Sequence, residues 1–342
     1  MSKDPGDNSG KDKKRPAASS QVHVQAVSEK VVVNIEKVIL GKRKQIVLAL
    51  ASYLAEGHIL LEDVPGVAKT ILARALARSV GCVFKRIQCT PDLLPGDING
   101  VSIFNQKTSE FEFRPGPIFA QTVLADEINR ATPRTQAALL EAMAERRVTA
   151  DGQTYTLKQP FLVIATQNPV DHEGTFPLPE AQLDRFLLKL SLGYPTMEEE
   201  AMMMKRLQLG HPIEDISPVV SAADWVACQD AVRHIHLDDQ IREYILEIIH
   251  ATRDHEDILL GGSPRASLAL QRASQAVAAI QGRTFVVPDD VKKLVGPVLS
   301  HRVILKPETR LRKIKPEDVL KDVLEDIPVP VSSEYLSEKD HF

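Results

Sequence analysis

The pair Lys69-Thr70 is the first in this chain whose residue types and spacing suggest chemistry, because it joins a short Pro-Gly loop to a helical pattern. A phosphate-binding loop has this order. Backbone N–H groups surround phosphate oxygens, a lysine reaches the β- and γ-phosphates, a hydroxyl meets Mg²⁺, and a helix N-terminus favours the anion. We therefore predict a nucleotide-binding loop here. It comprises Asp63, Val64, Pro65, Gly66, Val67, Ala68, Lys69 and Thr70.

The loop departs at two positions from the common pattern G-x-x-x-x-G-K-[ST]. Asp63 stands where the first glycine belongs, and Ala68 stands where the second belongs. A carboxylate near phosphates is unfavourable, so the side chain of Asp63 must point away or hydrogen-bond to the loop. Ala68 keeps its N–H group, and we expect a negative φ there. An ordinary strand, turn and helix with a surface lysine remains the alternative for this stretch.

Two carboxylates follow a second apolar run, which covers residues 121–125. In a phosphate-binding fold the first acid, here Asp126, coordinates Mg²⁺, and the second, Glu127, accepts a proton from the attacking water. An Asp-Glu pair after a strand also arises by chance. Its place downstream of the loop, with a further predicted strand at residues 83–88 between them, favours the functional interpretation.

Asn168 and Gly41 are candidate site residues from other segments. Asn168 follows the buried strand predicted at residues 161–165, so in a parallel sheet its amide would face the ligand crevice and hold a water or a phosphate oxygen. A turn at Asn168-Pro169 is the alternative. Gly41 interrupts two helical patterns just before the loop, where a nucleotide base could rest against backbone and apolar side chains. A plain turn between helices fits Gly41 equally well.

The dipeptide Ser263-Pro264 predicts the start of a helix, with serine as the N-cap and proline at the first helical position. Arg265 then stands at the exposed beginning of that helix. A positive charge there opposes the helix dipole unless an anion is nearby. We therefore keep both an anion-binding role and a solvated surface position as interpretations of Arg265.

The composition of the chain limits its class. With 342 residues, 43% of them apolar and 26% charged, it reads as a soluble protein large enough for two domains. The net charge of −4 does not suggest nucleic acid as a partner. Three cysteines without metal-ligand spacing favour a reducing compartment. The polar N-terminus lacks the apolar core of a signal peptide, and no apolar run approaches the roughly 18 residues of a membrane helix. We predict a cytoplasmic protein without membrane insertion.

Strand and helix patterns alternate over residues 58–192, which predicts an α/β fold with a parallel sheet covered on both faces by helices. From Met197 onward the patterns are helical only. We therefore predict a disordered polar tail over residues 1–24, an α/β domain over 25–193, an all-α domain over 194–327 and a C-terminal tail over 328–342. The first helix is expected to begin at Ser28.

Two hairpins are predicted as excursions from this alternation. The first surrounds a polar tip at residues 105–109, where apolar residues alternate on both sides. The second covers residues 146–158 and turns at Asp151-Gly152, a dipeptide that type I′ turns favour. Excursions of this kind are either functional or tolerated insertions.

Taken together, these residues resemble the MoxR family of AAA+ ATPases across roughly residues 28–325. The strings that carry the resemblance are Leu61–Thr70, Asp126–Arg130, Leu139–Met143, Ala165–Pro169, Glu173–Phe186 and Ser263–Arg265. In that family a loop that lacks the outer glycine and has alanine before the lysine is usual. The resemblance implies a P-loop NTPase domain followed by a helical lid, assembled as a ring that is typically a hexamer.

The resemblance also implies roles for the matching residues. Lys69 and Thr70 resemble the Walker A ligands of ATP and Mg²⁺. Asp126 resembles the Mg²⁺ ligand and Glu127 the general base of the family, while Asn168 resembles the residue called sensor 1. These roles agree with those that the strand ends suggest independently.

The resemblance also gives specific roles to two arginines. Arg265 resembles the lid arginine called sensor 2. Arg185 resembles the arginine finger, which reaches the γ-phosphate bound by the neighbouring subunit and stabilises charge on the transferred phosphoryl group. A salt bridge between Arg185 and Asp184 or Glu180 is the alternative.

The activity implied by the resemblance is Mg²⁺-dependent ATP hydrolysis that remodels another protein while a complex matures or assembles. The family often acts with a partner that contains a von Willebrand factor A domain, and its hairpin insertions contact substrates or partners. A DNA-translocating ring is one alternative, although the slightly acidic balance argues against it. An ATP-binding regulatory scaffold with low turnover is another, motivated by Asp63 and Ala68.

Overall fold

The computed structural model describes residues 18–168, 174–208 and 212–330, with side chains from residue 23 onward. Residues 1–17 of the predicted N-terminal tail, residues 331–342 of the predicted C-terminal tail, and Pro169 of the predicted turn lie outside the described residues. Among the residues described, none of the helices combines the length and apolar content needed to cross a membrane.

The first part of the chain alternates strands and helices. Its elements are α1 (Ala18–Glu36), α2 (Arg43–Leu54), β1 (His58–Glu62), α3 (Lys69–Ser79), β2 (Phe84–Gln88), α4 (Pro95–Asn99), β3 (Gly100–Asn105), β4 (Glu110–Pro115), β5 (Thr122–Asp126), α5 (Pro133–Glu145), β6 (Arg147–Ala150), β7 (Gln153–Thr156), β8 (Leu162–Gln167), α6 (Glu180–Leu183) and β9 (Phe186–Leu190). Short 3₁₀ turns at residues 117–119 and 128–130 flank β5.

The central sheet has the strand order β2-β5-β8-β1-β9, and every pairing in it is parallel. Along β1, Ile59 and Leu61 pack into one apolar core while Leu60 packs into a second core on the other face. The sheet is therefore covered on both sides, which confirms the predicted α/β class. Because all strands run the same way, their carboxyl ends meet at one edge of the sheet, which we call the carboxyl edge. The opposite side is the amino edge.

The second part is mainly helical. Its elements are α7 (Met197–Leu207), α8 (Ala222–Val232), α9 (Asp239–Asp254), β10 (Ile258–Leu260), α10 (Pro264–Ile280), α11 (Pro288–Leu299), β11 (Ile304–Leu305), α12 (Pro307–Leu311) and α13 (Pro316–Asp326). The helices predicted after Met197 are confirmed. The antiparallel pair of β10 and β11 was not predicted, because strands of this length are too short to show a periodic pattern.

Helix α1 corrects the prediction for the N-terminal tail. It begins at Ala18, so the assignment of residues 18–24 to a disordered segment and of the helix start to Ser28 was wrong. Val24, Val27 and Val31 are buried and follow helical spacing, which extends the apolar stripe towards the N-terminus. The small and polar residues between these valines obscured the helical periodicity in the sequence. Helix α1 packs against α3 of the first part and against α8 and α10 of the second.

Both predicted hairpins are present. Strands β3 and β4 pair antiparallel, as do β6 and β7. The second hairpin turns through Asp151 and Gly152 at φ values of 50° and 76°, which fits the predicted type I′ turn. The two hairpins also contact each other, because the rings of Phe113 and Tyr155 stack with centroids 4.4 Å apart. They therefore form one paired excursion from the sheet.

Candidate active site

The carboxyl edge brings the predicted loop and the predicted acids together. Strand β8 lies between β1 and β5, so Asn168 at its end stands between Asp63 at the end of β1 and Asp126 at the end of β5. The backbone N–H of Asp63 donates to the carbonyl of Gln167 at 3.3 Å. Residues from three distant parts of the sequence thus form one crevice, as the parallel arrangement predicts.

The phosphate-loop backbone adopts left-handed conformations at two positions. Gly66 has a φ of 87° and Ala68 a φ of 62°, so the expected negative φ at Ala68 was wrong. The reason is local: the chain must turn sharply from the loop into α3, and Ala68 is the N-cap residue at that turn. A left-handed alanine costs about 1–2 kcal/mol relative to its right-handed form. Val67 between them is not left-handed, and such alternation makes a concavity of N–H groups that suits an anion.

The carboxylate of Asp63 is turned away from the loop opening. Its Oδ1 accepts the N–H of Val64 at 3.0 Å. Its Oδ2 accepts the N–H groups of Leu192 at 2.6 Å and Gly193 at 2.9 Å, and the hydroxyl of Ser191 at 3.1 Å. Asp63 therefore shapes the loop through its backbone, while its charge is used to fix the segment that follows β9.

Lys69 and the acids of the site interact electrostatically. The Nζ of Lys69 donates to the carbonyl of Asp63 at 2.7 Å. Burial lowers the pKa of Lys69, and the carboxylates of Asp63, Asp126 and Glu127 oppose that shift. Thr70 follows in the first turn of α3 and is half-buried. The predicted lysine thus lies within electrostatic range of both predicted acids.

Asp126 is buried and has two partners that the sequence did not reveal. The Oγ1 of Thr166 donates to its Oδ1 at 2.6 Å. The Nε of Arg86 donates to its Oδ2 at 2.9 Å, from the neighbouring strand β2. The available signals were a charged residue inside a short strand and a threonine near the end of an apolar strand. Neither signal is specific without knowledge of the strand order.

Glu127 is held in a strained conformation. Its φ of 58° is left-handed, a conformation that costs a non-glycine residue about 1–3 kcal/mol and often marks functional positions. Its N–H donates to the Oγ1 of Thr166 at 2.8 Å, so one threonine hydroxyl orients both acids. The Nε of Arg130 lies 3.0 Å from its carboxylate, and the amide of Gln88 donates to that group at 3.5 Å.

The donor set fits a hard cation. Mg²⁺ prefers oxygen ligands, and Asp126 and Thr70 supply a carboxylate and a hydroxyl at this edge. The Oδ2 of Asp126 is already paired with the positive charge of Arg86, so a bound cation would have to compete with Arg86 for this oxygen. A bound Mg²⁺ would supply charge neutralisation at the phosphates. Asp126 and Thr70 are the residues that would hold it.

Asn168 and Gly41 occupy different positions at the carboxyl edge. Asn168 is buried at the end of β8. Gly41 has a φ of 67°, and a Cβ built on it would overlap the carboxylate of Glu199 at 1.4 Å. Next to it, the Nζ of Lys42 donates to the carbonyl of Tyr194 at 2.9 Å. Gly41 therefore allows α7 and the segment after β9 to approach closely, and contact with a nucleotide base stays a prediction.

Arg185 and Arg265 do not lie at the carboxyl edge. Arg185 precedes β9, whose first residue pairs with His58 at the start of β1. At about 3.3 Å per residue, β9 separates Arg185 from the opposite edge by roughly 16 Å. Arg265 follows Ser263, whose hydroxyl donates to Asp184 at 3.0 Å. Both arginines therefore lie near the amino edge, across the sheet from the loop of their own chain.

The side chain of Arg185 makes a different contact from the salt bridge with Asp184 or Glu180 that the sequence left open. Its guanidinium donates to the carbonyl of Leu140 in α5 at 2.7 Å. Asp184 instead pairs with Arg302, whose Nε lies 2.8 Å from the carboxylate. Arg265 is exposed on the surface of α10. The predicted finger and the predicted lid arginine thus belong to the same side of the molecule.

Comparison with known proteins agrees with the fold. Residues 58–188 match the family model for the ATPase family associated with various cellular activities (AAA), and residues 250–323 match the model for the AAA lid domain. The Chaperone MoxR1 of Mycobacterium tuberculosis is 40% identical over 88% of this chain and 82% of its own. The uncharacterized protein YeaC of Bacillus subtilis is 53% identical over 88% of this chain and 94% of its own.

A solved structure supports the same architecture. A Cytophaga hutchinsonii protein described as a candidate ATPase superimposes with a TM-score of 0.86 at 37% sequence identity. The match covers 92% of this chain and 98% of that one. The arrangement of an α/β domain followed by a helical lid is therefore shared over nearly the whole length of both proteins.

Proposed function

The chain belongs to the MoxR family of AAA+ ATPases and is an ATP-hydrolysing enzyme, and we propose on that premise that it works as a Mg²⁺-dependent ring that remodels other proteins. The observation that carries the proposal is the convergence of Lys69, Asp126 and Glu127 at the carboxyl edge, with Asn168 between the two halves of the site. This arrangement supports hydrolysis at a single phosphate-binding crevice.

We assign each residue of this crevice a task. The N–H groups of residues 63–70 surround the phosphates, and Lys69 exchanges the carbonyl of Asp63 for phosphate oxygens. Glu127 accepts a proton from the water that attacks the γ-phosphorus, and the bond from that phosphorus to the bridging oxygen breaks. The amide of Asn168 orients that water or a phosphate oxygen. Thr166 keeps both acids in place through its hydroxyl.

The positions of Arg185 and Arg265 support sites that are shared between subunits. Both lie near the amino edge, so neither reaches the loop of its own chain. In a closed ring, each subunit would present its amino edge to the carboxyl edge of the next, as head-to-tail contacts generate rings. We propose a hexamer in which Arg185 completes the neighbour's site as an arginine finger and Arg265 contributes as sensor 2.

The output of hydrolysis is proposed to be a chaperone-like action on a protein complex that matures or assembles. The name of the M. tuberculosis relative, Chaperone MoxR1, supports this role. A partner with a von Willebrand factor A domain belongs to the same proposal.

The paired hairpins carry exposed apolar residues at their tip, among them Phe104 and Phe111. We propose that this tip contacts the client or partner.

The test is ATP turnover measured against protein concentration, with Mg²⁺ and with Mg²⁺ chelated. We expect turnover per chain to rise as subunits assemble and to vanish without Mg²⁺. Glu127→Gln should bind ATP but lose turnover by about a thousandfold or more, because the general base is gone. Glu243→Gln, an exposed acid in α9, is the matched control and should leave turnover unchanged.

Two results would contradict the proposal. If turnover per chain stays constant while the subunits assemble, the hypothesis of a catalytic site shared between subunits is wrong. If Glu127→Gln hydrolyses ATP at the native rate, the assignment of Glu127 as the general base is wrong. A salt-sensitive shift of duplex DNA at physiological ionic strength would instead favour a DNA-translocating ring.

A further inference from the structure

We propose that Asp184 is a positioning residue that ties the lid to the arginine finger, so that Arg185 and Arg265 are presented to the neighbouring subunit as one unit. This inference rests on the proposed shared site. It concerns a residue to which neither the family resemblance nor the comparisons give a role. Asp184 contacts no reacting group and acts through the elements that it holds.

The carboxylate of Asp184 joins two separate elements of the lid. Its Oδ2 accepts the hydroxyl of Ser263 at 3.0 Å, at the start of α10. Its Oδ1 accepts the Nε of Arg302 at 2.8 Å, just after α11. The side chains of Asp184 and Arg302 are only 16% and 3% exposed. Removal of one partner from a buried charge pair of this kind strongly destabilises the folded protein, because the other charge remains buried and unpaired.

Ser263 connects this contact to Arg265. Its hydroxyl has one proton, which it donates to Asp184, and it accepts the backbone N–H of Arg265 at 3.2 Å. A serine N-cap normally satisfies only the end of its own helix. Here the same hydroxyl also anchors the first turn of α10 to the residue before Arg185. The position of Arg265 therefore depends on Asp184 through two consecutive hydrogen bonds.

Arg302 fixes the other side of the same segment. Its NH2 donates to the carbonyl of Phe186 at 2.6 Å, and its NH1 donates to the carbonyl of Leu187 at 3.1 Å. The ring of His301 also meets the carbonyl of Phe186 at 3.0 Å. The backbone that carries Arg185 is thus attached to the lid immediately after the arginine, while its side chain rests on α5. The lid therefore holds the backbone on the C-terminal side of Arg185 through three hydrogen bonds.

The lid also forms part of the nucleotide edge of its own chain. Helix α7 packs Glu199 against Gly41, and Asp63 binds the segment that leads from β9 into the lid. A change at the crevice therefore reaches the lid directly. On the opposite edge, Ser263 and Arg302 of the lid contact Asp184, next to Arg185. Segments assigned to the lid thus contact the sheet at both of its edges.

The experiment uses full-length Asp184→Asn, which keeps the shape and an acceptor but removes the charge. We expect kcat for ATP to fall by about tenfold or more, because the finger is misplaced, while nucleotide affinity and assembly change by less than about twofold. Unchanged kcat in a folded, assembled variant would overturn the proposal. So would a loss that appears only as weaker nucleotide binding.

Mixed assemblies separate a positioning role from a general structural defect. In a mixture of Asp184→Asn with Glu127→Gln, an intact base can meet an intact finger side at a shared site, so turnover should rise above that of either variant. In a mixture of Asp184→Asn with Arg185→Ala, both variants are defective on the finger side, so turnover should not rise. The reverse pattern, or a rise in neither mixture, overturns the proposal.

A control mixture keeps this inference distinct from the proposed function. If Glu127→Gln mixed with Arg185→Ala regains turnover but the Asp184 pattern fails, only the present inference is wrong. If that control mixture also fails, the shared site itself is wrong.

Ser263→Ala keeps the test decisive if Asp184→Asn does not fold. This variant retains the buried charge pair but removes the hydrogen bond to Asp184 and, with it, the N-cap of α10. It should lose kcat and follow the same mixing pattern as Asp184→Asn. Ser221→Ala is the matched control, because Ser221 caps α8 in the same way without touching Asp184. Equal turnover of Ser263→Ala and Ser221→Ala would overturn the proposal.

Discussion

The carboxylate of Asp63 accepts a hydrogen bond from the backbone N–H of Leu192 at 2.6 Å, and so it faces the exit of β9 rather than the phosphate loop. This contact explains how an acid can replace a glycine beside phosphates. The carboxylate accepts hydrogen bonds from backbone N–H groups just after the edge strand β9, and it thereby fixes the segment that leads to the lid.

Asp63→Gly restores the common glycine of phosphate loops, yet it should destabilise this protein. The N–H groups of Leu192 and Gly193 would lose a charged acceptor, which costs about 3 kcal/mol in the free energy of unfolding. Urea unfolding measures the change. Asp63→Asn keeps one acceptor oxygen, so its free energy of unfolding should lie between those of the native chain and Asp63→Gly. A glycine variant as stable as the native chain would show that these bonds contribute nothing.

Arg86 competes with a cation for Asp126. Removing it in Arg86→Gln should lower the Mg²⁺ concentration needed for half-maximal nucleotide binding. Because Arg86 is 48% exposed and such pairs contribute about 1 kcal/mol or less, the shift should not exceed about fivefold. A fluorescent ATP analogue titrated with Mg²⁺ gives the readout. Lys85→Gln, on the same strand, should show no shift, and a higher Mg²⁺ requirement in Arg86→Gln would refute the competition.

His58 makes folding sensitive to acid. Its Nδ1 accepts the N–H of Val163 at 3.0 Å, so its Nε2 carries the proton and donates to the carbonyl of Met143 at 3.1 Å. Burial is the main cause that lowers its pKa from 6.5 to about 4. Between these values the unfolded chain binds more protons than the folded one. Stability should therefore be complete above pH 6.5 and fall by about 3 kcal/mol as the pH drops to 4.

Denaturant unfolding at a series of pH values measures this dependence. His58→Asn should be less stable at neutral pH but show a shallower loss between pH 6.5 and 4. Burial also lowers the pKa of His301, so part of the slope should persist in the variant. An identical slope in His58→Asn and in the native chain would exclude His58 as its source.

The stacking of Phe113 on Tyr155 should keep the two hairpins together. Tyr155→Ala removes the stacked ring and should expose both hairpins to faster limited proteolysis, at a cost of about 1 kcal/mol beyond the lost burial. ATP binding should not change, because the ring lies outside the crevice. Phe111→Ala is the matched control, since Phe111 is 74% exposed and contacts Phe104 instead. Equal proteolysis rates in both variants would argue against the stack.

The crevice could be predicted from sequence because its members share one rule. Residues at the carboxyl ends of neighbouring parallel strands must meet, so Lys69, Asp126, Glu127 and Asn168 were found without knowledge of their distances. The turn at Asp151-Gly152 was also predictable, because its geometry depends on those two residues alone.

Other features depend on contacts that no local pattern encodes. The partners of Asp63 come from the segment after β9, and the pairing of β9 with β1 is what places Arg185 at the amino edge. The left-handed φ of Ala68 follows from the path of the chain into α3 and opposes the intrinsic preference of alanine. Helix α1 begins early because its valines pack on both parts of the chain.

The most direct test of a shared catalytic site is ATP turnover by a mixture of Glu127→Gln and Arg185→Ala, each inactive alone and allowed to exchange subunits. With random mixing of equal amounts, about a quarter of the interfaces would combine an intact base with an intact finger. We predict that turnover rises towards about that fraction of the native rate. Turnover that stays at the level of the separate variants, in assemblies shown to contain both chains, would contradict a finger that acts on the neighbouring subunit.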